Sequence, residues 1–410
     1  MARRAKIVCT LGPACAAPDR LRDLVEAGMD VARIDLDHGT PAGHAAAYRL
    51  LRETAARAGR TVGVLADLRG PRLTFGRPAT GSAFTEQLTA DLRFVLGLGV
   101  DLVALSAVGS PEDVKVVRDL MDGYGVRRPV LAKLDTPSAV RHLDDLVAAF
   151  DGLVVARDDL GVELPLDEIP LIQKRAIRRC RELAKPVIVA GQLLDSMVEQ
   201  PRPTRAEASD VANAVLDGAD ALLLGAETGI GAFPVPAVRM MAQILGTAEA
   251  SAPARRPPLR VGAATNVDAI AEASVEVAES LGVKAICCFT RSGATARQLA
   301  RHRPAVPLLA FTPDPDLPAR LALTWGVETF GVPVVVHTDE MVHHVQDVLL
   351  SLPRFEVGDL VLIVAGSPPG LPGSTNTMRL LRLGDRVLAR PPLPASVPLR
   401  RPAPRPEPVP

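Results

Sequence analysis

Lys133 and Asp135, one residue apart, follow the short apolar run at 130–132, and Asp158 and Asp159 follow the next run at 153–156. Carboxylates from adjacent strands, open to solvent on one side, are the hard oxygen ligands that Mg²⁺ prefers. A lysine beside them can stabilise negative charge on an enolate or on a transferring phosphoryl oxygen. The plainer alternative is that charges at strand ends only solvate a rim. Arg33, Asp35 and Asp37 close another apolar run, and Asp67 closes a third.

The elements that must position these residues repeat with a regular rhythm. Apolar runs at 7–10, 31–34, 62–66, 102–105, 130–132, 153–156, 187–189 and 221–224 alternate with helical stretches. Runs that are continuously Val, Ile and Leu belong to strands covered on both faces. Eight β-then-α units close into a (β/α)₈ barrel, with reactive residues at the carboxyl ends of the strands. The expected fold is therefore α/β, a TIM barrel followed by a smaller α/β carboxyl-terminal domain. The barrel takes 1–250 and a Pro-rich linker 251–260. The second domain takes 261–390, and a Pro- and Arg-rich tail without apolar periodicity takes 391–410. Within the second domain, helices are expected at 267–281, 294–302 and 317–325. Strands are expected at 283–289, 307–311, near Val334 and near Leu360.

The chain has 410 residues and a formal net charge of zero, with no block of like charge before the tail. Nothing in this balance recommends nucleic acid or a membrane surface as a partner. The five cysteines are odd in number and include no C-x-x-C pair. Together with a start that holds no long apolar core, this predicts a cytoplasmic protein.

At these residues the chain resembles the pyruvate kinase family. The opening strand Lys6-Ile7-Val8-Cys9-Thr10-Leu11-Gly12-Pro13, the Asp37-His38-Gly39 turn, and Asp67 with Gly70-Pro71 carry the likeness through three barrel units. The runs DDLGVELPLDEIPLIQKR at 158–175 and PRPTRAEASDVAN at 201–213 are long and specific, and 290–296 and 373–377 extend it into the second domain. The resemblance implies phosphoryl transfer between phosphoenolpyruvate and ADP, with Mg²⁺ or Mn²⁺ as cofactor and a homotetramer or homodimer as assembly. It implies that Lys133 is the essential lysine and that Asp159 and Asp135 are metal ligands. Arg33 would hold the substrate phosphate, and backbone N–H groups at Arg157, Asp158 and Asp159 its carboxylate. His38 would lie near the nucleotide. Thr290, Ser292, Gly293 and Thr295 would form an effector turn, for which a plain helix cap by Ser292 is the alternative.

Several departures bear on activity. The family inserts a lid domain of roughly a hundred residues after the third strand, whereas here 76–84 lead directly to a helix near Thr85. Losing a lid that excludes water implies a slow or altered enzyme. Asp135 stands where the family has Glu, shorter by one carbon–carbon bond, ~1.5 Å. Gly191 replaces a Thr beside the pyruvate methyl and carboxylate, Gly225 a Ser, Ile230 a Lys and Thr74 an Arg. Glycines making room at 191 and 225 would suit a bulkier substrate. The alternatives are therefore enolate chemistry on another 2-oxo acid, of decarboxylation or aldol type, or non-catalytic metabolite sensing. Asp35 and Asp37 replace the Asn and Ser that help hold potassium. With Leu68 and Arg72 also changed, K⁺ is not expected to be required. Asp35, Asp37 and Asp67 then either hold a second divalent ion or are neutralised by Arg33, Arg69 and Arg72.

Overall fold

A computed structural model describes residues 3–68, 82–251, 259, 265–335, 337–367 and 374–385. Arg69, Gly70, Pro71, Arg72, Thr74, Gly373, linker residues 252–258 and the tail at 391–410 lie outside the described residues.

Eight strands form a closed parallel barrel in sequence order: β1 (Lys6–Thr10), β2 (Val31–Asp35), β3 (Gly63–Leu68), β4 (Leu102–Leu105), β5 (Val130–Leu134), β6 (Gly152–Ala156), β7 (Val187–Ala190) and β8 (Ala221–Leu224). β8 returns to β1 with Lys6 opposite Ala221, which seals the ring. Every residue of these strands is buried except Lys6, Arg33, Asp35 and Lys133. Three of those four are candidate site residues, all toward the carboxyl ends of their strands. The helices that follow have readable causes. Pro18 opens Pro18–Ala27, which Gly28 ends at φ +124°, and the Thr204–Glu207 capping box opens Arg205–Asp217.

The second domain is a five-stranded sheet ordered β11-β10-β9-β12-β13, with β9 (Ile286–Phe289), β10 (Leu308–Thr312), β11 (Val327–Gly331), β12 (Leu360–Gly366) and β13 (Thr375–Arg382). Only β13 runs antiparallel to its neighbour. The strand expected near Val334 lies earlier, at β11. The helix expected over 317–325 stops at Leu321. The reason is packing: Leu323 drops into the interior of the barrel, among Val8, Val31, Leu65 and Leu131, and closes its amino-terminal end. All five cysteines are free and buried. Among the described residues, no helix is long and apolar enough to cross a membrane.

Candidate active site

The carboxyl ends of β2, β3 and β5 bring together one connected set of charges. Asp67, at the end of β3, lies at its centre and is 6% exposed. Arg33 on β2 reaches it through Nε at 2.9 Å and Nη2 at 2.7 Å. The same guanidinium holds Asp35 at 3.0 Å and donates to Thr10 Oγ1 at 3.2 Å. Lys133 Nζ on β5 stands 3.8 Å from Asp67 and 3.7 Å from Asp159. Ser106 Oγ donates to the second oxygen of Asp67 at 3.4 Å.

The surroundings fix the charge states. Burial alone would lower the Lys133 ammonium, but Asp67, Asp159 and Asp135 outweigh it and hold the group above its ordinary value. Burial likewise opposes the Arg33 cation, and Asp67 and Asp35 more than offset it. The Asp35 carboxyl is pushed up by burial but carried below its usual range by Arg33 and the Asp37 N–H. Asp37 is raised by burial, then by Asp35 and Asp67.

Asp135 is 9% exposed, and burial raises its carboxyl to about 6 despite the N–H of Ala107 at 2.8 Å. Its Oδ1 is buried without a hydrogen-bond partner. An unpartnered buried carboxylate oxygen costs free energy unless something coordinates it. Asp159 is exposed on the other side of Lys133 and supplies a second hard oxygen donor. Two carboxylates, one orphaned and one open to water, suit Mg²⁺, which binds through one or two carboxylates and keeps several waters.

Asp35 and Asp67 do not enclose open space for a second divalent ion. Among the described residues no three His, Cys, Asp or Glu side chains converge as a metal-binding group. The space between Asp35 and Asp67 is taken by the Arg33 guanidinium, which is the cation that neutralises them. Gly191 does not enlarge the site either. At φ +95°, a Cβ there would lie 2.8 Å from the Asp158 carboxyl carbon and 2.9 Å from the Asp158 backbone nitrogen. Asp158 already fills that space. At Gly225 a Cβ would meet Glu227 Oε2 at an ordinary 3.8 Å.

The Arg157 side chain points into structure, bonding the Gly191 carbonyl through Nε at 3.1 Å and Asp210 through Nη1 at 2.7 Å. Its backbone N–H, with those of Asp158 and Asp159, opens the helix Arg157–Glu163 just beyond β6, where such groups lack intrahelical acceptors. His38 lies beside Asp35, Nδ1 to Oδ2 at 3.2 Å. In the second domain, Thr290, Ser292 and Thr295 line a cavity of about 280 Å³. Thr290 Oγ1 accepts the Gly293 N–H at 2.9 Å, and Thr295 bonds Thr375 at 2.7 Å. Gly293 at φ +81° is the residue that precedes the helix Ala294–Ala300, and Ser292 Oγ accepts the Ala294 N–H at 3.4 Å. One contributor carried no sequence signal, the Ala107 N–H, aimed at Asp135 by a left-handed backbone (φ 54°). Glu227, which follows the eighth apolar run, is buried and bonded to the N–H groups of Leu194 and Gly225.

Known proteins match both domains of the chain. The family model "Pyruvate kinase, barrel domain" matches residues 2–83 and 76–238 in two pieces, and "Pyruvate kinase, alpha/beta domain" matches 268–381. The pyruvate kinase of Mycobacterium tuberculosis is 44% identical over an alignment of 470 positions, covering 94% of this chain and 99% of that protein. That of Corynebacterium glutamicum is 42% identical, covering 94% and 98%. That of Geobacillus stearothermophilus is 35% identical, covering 94% and 81%. The alignments are longer than the chain itself, so the relatives hold sequence that it lacks. With both of its domains matched, the chain is a phosphotransferase and belongs to the pyruvate kinase family.

Proposed function

We propose that the chain transfers a phosphoryl group between phosphoenolpyruvate and ADP at the barrel mouth, and does so slowly. The observation that carries the reading is the Arg33–Asp67–Lys133 set beside Asp135, whose Oδ1 has no partner. In the forward direction the enol P–O bond breaks and a P–O bond to the terminal phosphate of ADP forms. The enolate left behind then takes a proton on carbon to become pyruvate. Lys133, held protonated, stabilises the charge on the enolate oxygen and on the phosphoryl group in transit. Arg33, fixed by Asp67 and Asp35, is oriented in advance for the substrate phosphate. The N–H groups of Arg157, Asp158 and Asp159 receive the substrate carboxylate next to Gly191, and His38 lies toward the nucleotide. Asp135 and Asp159 would hold Mg²⁺, which neutralises phosphate charge when bound. Arg33 supplies the positive charge between Asp35 and Asp67, which removes the need for K⁺.

Slow turnover follows from the connection after β3. Only thirteen residues separate Leu68 from the helix Ser82–Leu98, and the barrel match breaks at 76–83. No closing domain of the size that excludes water fits in that length. Because Asp158 fills the space beside Gly191, the argument for a bulkier 2-oxo acid loses its main support.

The test is pyruvate formation from phosphoenolpyruvate with Mg²⁺, with and without ADP and with and without K⁺. ADP-dependent, K⁺-independent turnover is expected. Turnover without ADP would mean that water is the acceptor, and no turnover would defeat the kinase reading.

A further inference from the structure

Asp158 lends the proposed reaction a backbone N–H, but its side chain has no part in it. The residue is exposed, and among the described residues its carboxylate accepts no hydrogen bond and has no cation within ion-pair distance. Its position is nevertheless set by Gly191. The nitrogen, Cγ and Oδ2 of Asp158 all lie within 2.9 Å of the point where a side chain on residue 191 would begin. Only glycine leaves that space to the carboxylate, and φ +95° at Gly191 favours glycine a second time. Gly191 is itself fixed. Arg157 Nε donates to its carbonyl at 3.1 Å, while Nη1 of the same guanidinium is tied to Asp210 at 2.7 Å and Gln173 at 3.3 Å.

This placement bears on the third substituent of the substrate. C2 of a 2-oxo acid is planar, with its carboxylate, its oxygen and C3 pointing three ways. With the carboxylate on the N–H groups after β6 and the oxygen toward Lys133 on β5, C3 faces the ends of β7 and β8. On that side Gly191 and Gly225 carry no side chain. Beside Gly225 the space is open, with Glu227 Oε2 3.8 Å from where a Cβ would stand. Glu227 is already taken by the N–H groups of Leu194 (3.2 Å) and Gly225 (2.7 Å). The Asp158 carboxylate is therefore left to meet whatever C3 carries. An ionised carboxylate offers only acceptors. Beside a methyl it loses water and gains no partner, whereas beside a hydroxyl it receives a charge-assisted hydrogen bond.

We propose that Asp158 sets substrate preference at the mouth, admitting a 2-oxo acid with a hydroxyl on C3 over one of nearly equal size with a methyl there. This rests on the reading of the mouth as a 2-oxo acid site. Pyruvate, with nothing added on C3, remains a substrate, and no step of the phosphoryl transfer changes. Residues 191 and 158 then work as a pair: the glycine vacates the space, and the aspartate fills it with an acceptor.

Hydroxypyruvate and 2-oxobutyrate are the deciding pair, because they differ only by OH against CH₃ on C3. Their dissociation constants, with that of pyruvate, are measured by calorimetric titration of the full chain with Mg²⁺ and without nucleotide. In the unaltered protein hydroxypyruvate should bind at least about tenfold tighter than 2-oxobutyrate. Asp158→Gly should bring the two within about twofold, chiefly by tightening 2-oxobutyrate. Asp158→Asn, which keeps an oxygen acceptor at the same reach, should retain part of the preference. Lys133→Met should weaken all three acids alike, which places the binding at the mouth. A ratio of two affinities is not moved by a general loss of folded protein. Equal affinities in the unaltered protein, a preference undiminished in Asp158→Gly, or no binding of any of the three acids would overturn the proposal. Phosphoenolpyruvate turnover is scored separately. No turnover with hydroxypyruvate preferred would defeat the kinase reading and leave the role of Asp158 standing, and turnover with equal affinities would do the reverse.

Discussion

Glu249 at the amino-terminal end of the barrel and Asp135 at the carboxyl end are equally buried, each 9% exposed. Glu249 accepts from the backbone N–H of Arg4 (2.7 Å) and Ala5 (2.9 Å) and from the Trp325 indole (2.9 Å). Asp135 accepts one hydrogen bond, from Ala107, and leaves Oδ1 with none. Asp220, near Glu249, is likewise spoken for, by Arg303 at 3.1 Å and by the N–H groups of Val187 and Trp325, both at 3.1 Å. At the floor, acids are saturated by the protein and hold two domains together. At the mouth Asp135 is left partly unsatisfied, so a ligand has something to complete. A substitution at the floor should therefore move stability and spare chemistry, and one at the mouth should do the reverse.

The sharpest contrast comes from Lys133→Met. Removing the one ammonium between Asp67 and Asp159 should lower kcat by about 10³-fold or more, or about 4 kcal/mol of transition-state stabilisation. Melting should change little, because Asp67 keeps Arg33. Steady-state kinetics and a thermal melt on the same preparation read both. A collapse in Tm would make Lys133 a structural residue and erase the distinction between the two ends.

Leu323→Ala is the matching experiment at the floor. The side chain is fully buried inside the barrel although it belongs to the second domain. Its truncation should cost about 3 kcal/mol, read from urea midpoints. The kcat of the folded fraction should stay within about twofold. Loss of activity without loss of stability would show that the floor communicates with the mouth.

The mouth was more legible in the sequence than the floor. Strands with charged residues at their ends reveal themselves because a Lys or Asp closing a Val/Leu run needs an explanation, and Lys133, Arg33 and Asp67 all end up together. The partners of those residues were not legible. Nothing in the chain marks Ala107 as left-handed, or shows that the Asp158 carboxylate lies over Gly191. Three carboxylates near one another read as a metal site until the Arg33 guanidinium is placed between two of them. The floor was hidden because it is made by contacts between residues 76 to 245 positions apart in sequence. The helix pattern through 317–325 gives no sign that Leu323 leaves the helix to enter the barrel. β13 was missed for another reason: five consecutive residues within it are exposed, so it shows no apolar alternation.

A smaller effect is expected at Gly191. A Cβ there is disfavoured twice, by φ +95° and by its 2.8 Å approach to the Asp158 carboxyl carbon. Gly191→Ala should cost about 2 kcal/mol. Combining it with Asp158→Gly should recover the steric part and leave the backbone part, which a double-mutant cycle on denaturant midpoints separates. Simple additivity would mean that the two positions do not share space.

The least of these effects concerns pH and again separates the two ends. His302, at the domain junction, accepts from Arg301 through Nε2 at 3.3 Å. Burial, then Arg301 and Arg181, push its imidazole down to about 4. The unfolded chain takes up a proton near the ordinary 6.5 while the folded chain does not. Wherever the unfolded state binds more protons, stability rises with pH. The contribution of His302 is therefore fully present above about 6.5 and is lost as pH falls from there toward 4. Urea midpoints measured from pH 7.5 to 5 should decline in the unaltered protein and decline less in His302→Gln. The kcat of the folded fraction should show no change traceable to this residue, because His302 touches the domain junction and not the charges at the mouth. An equal decline in both proteins would assign the acid sensitivity to other groups.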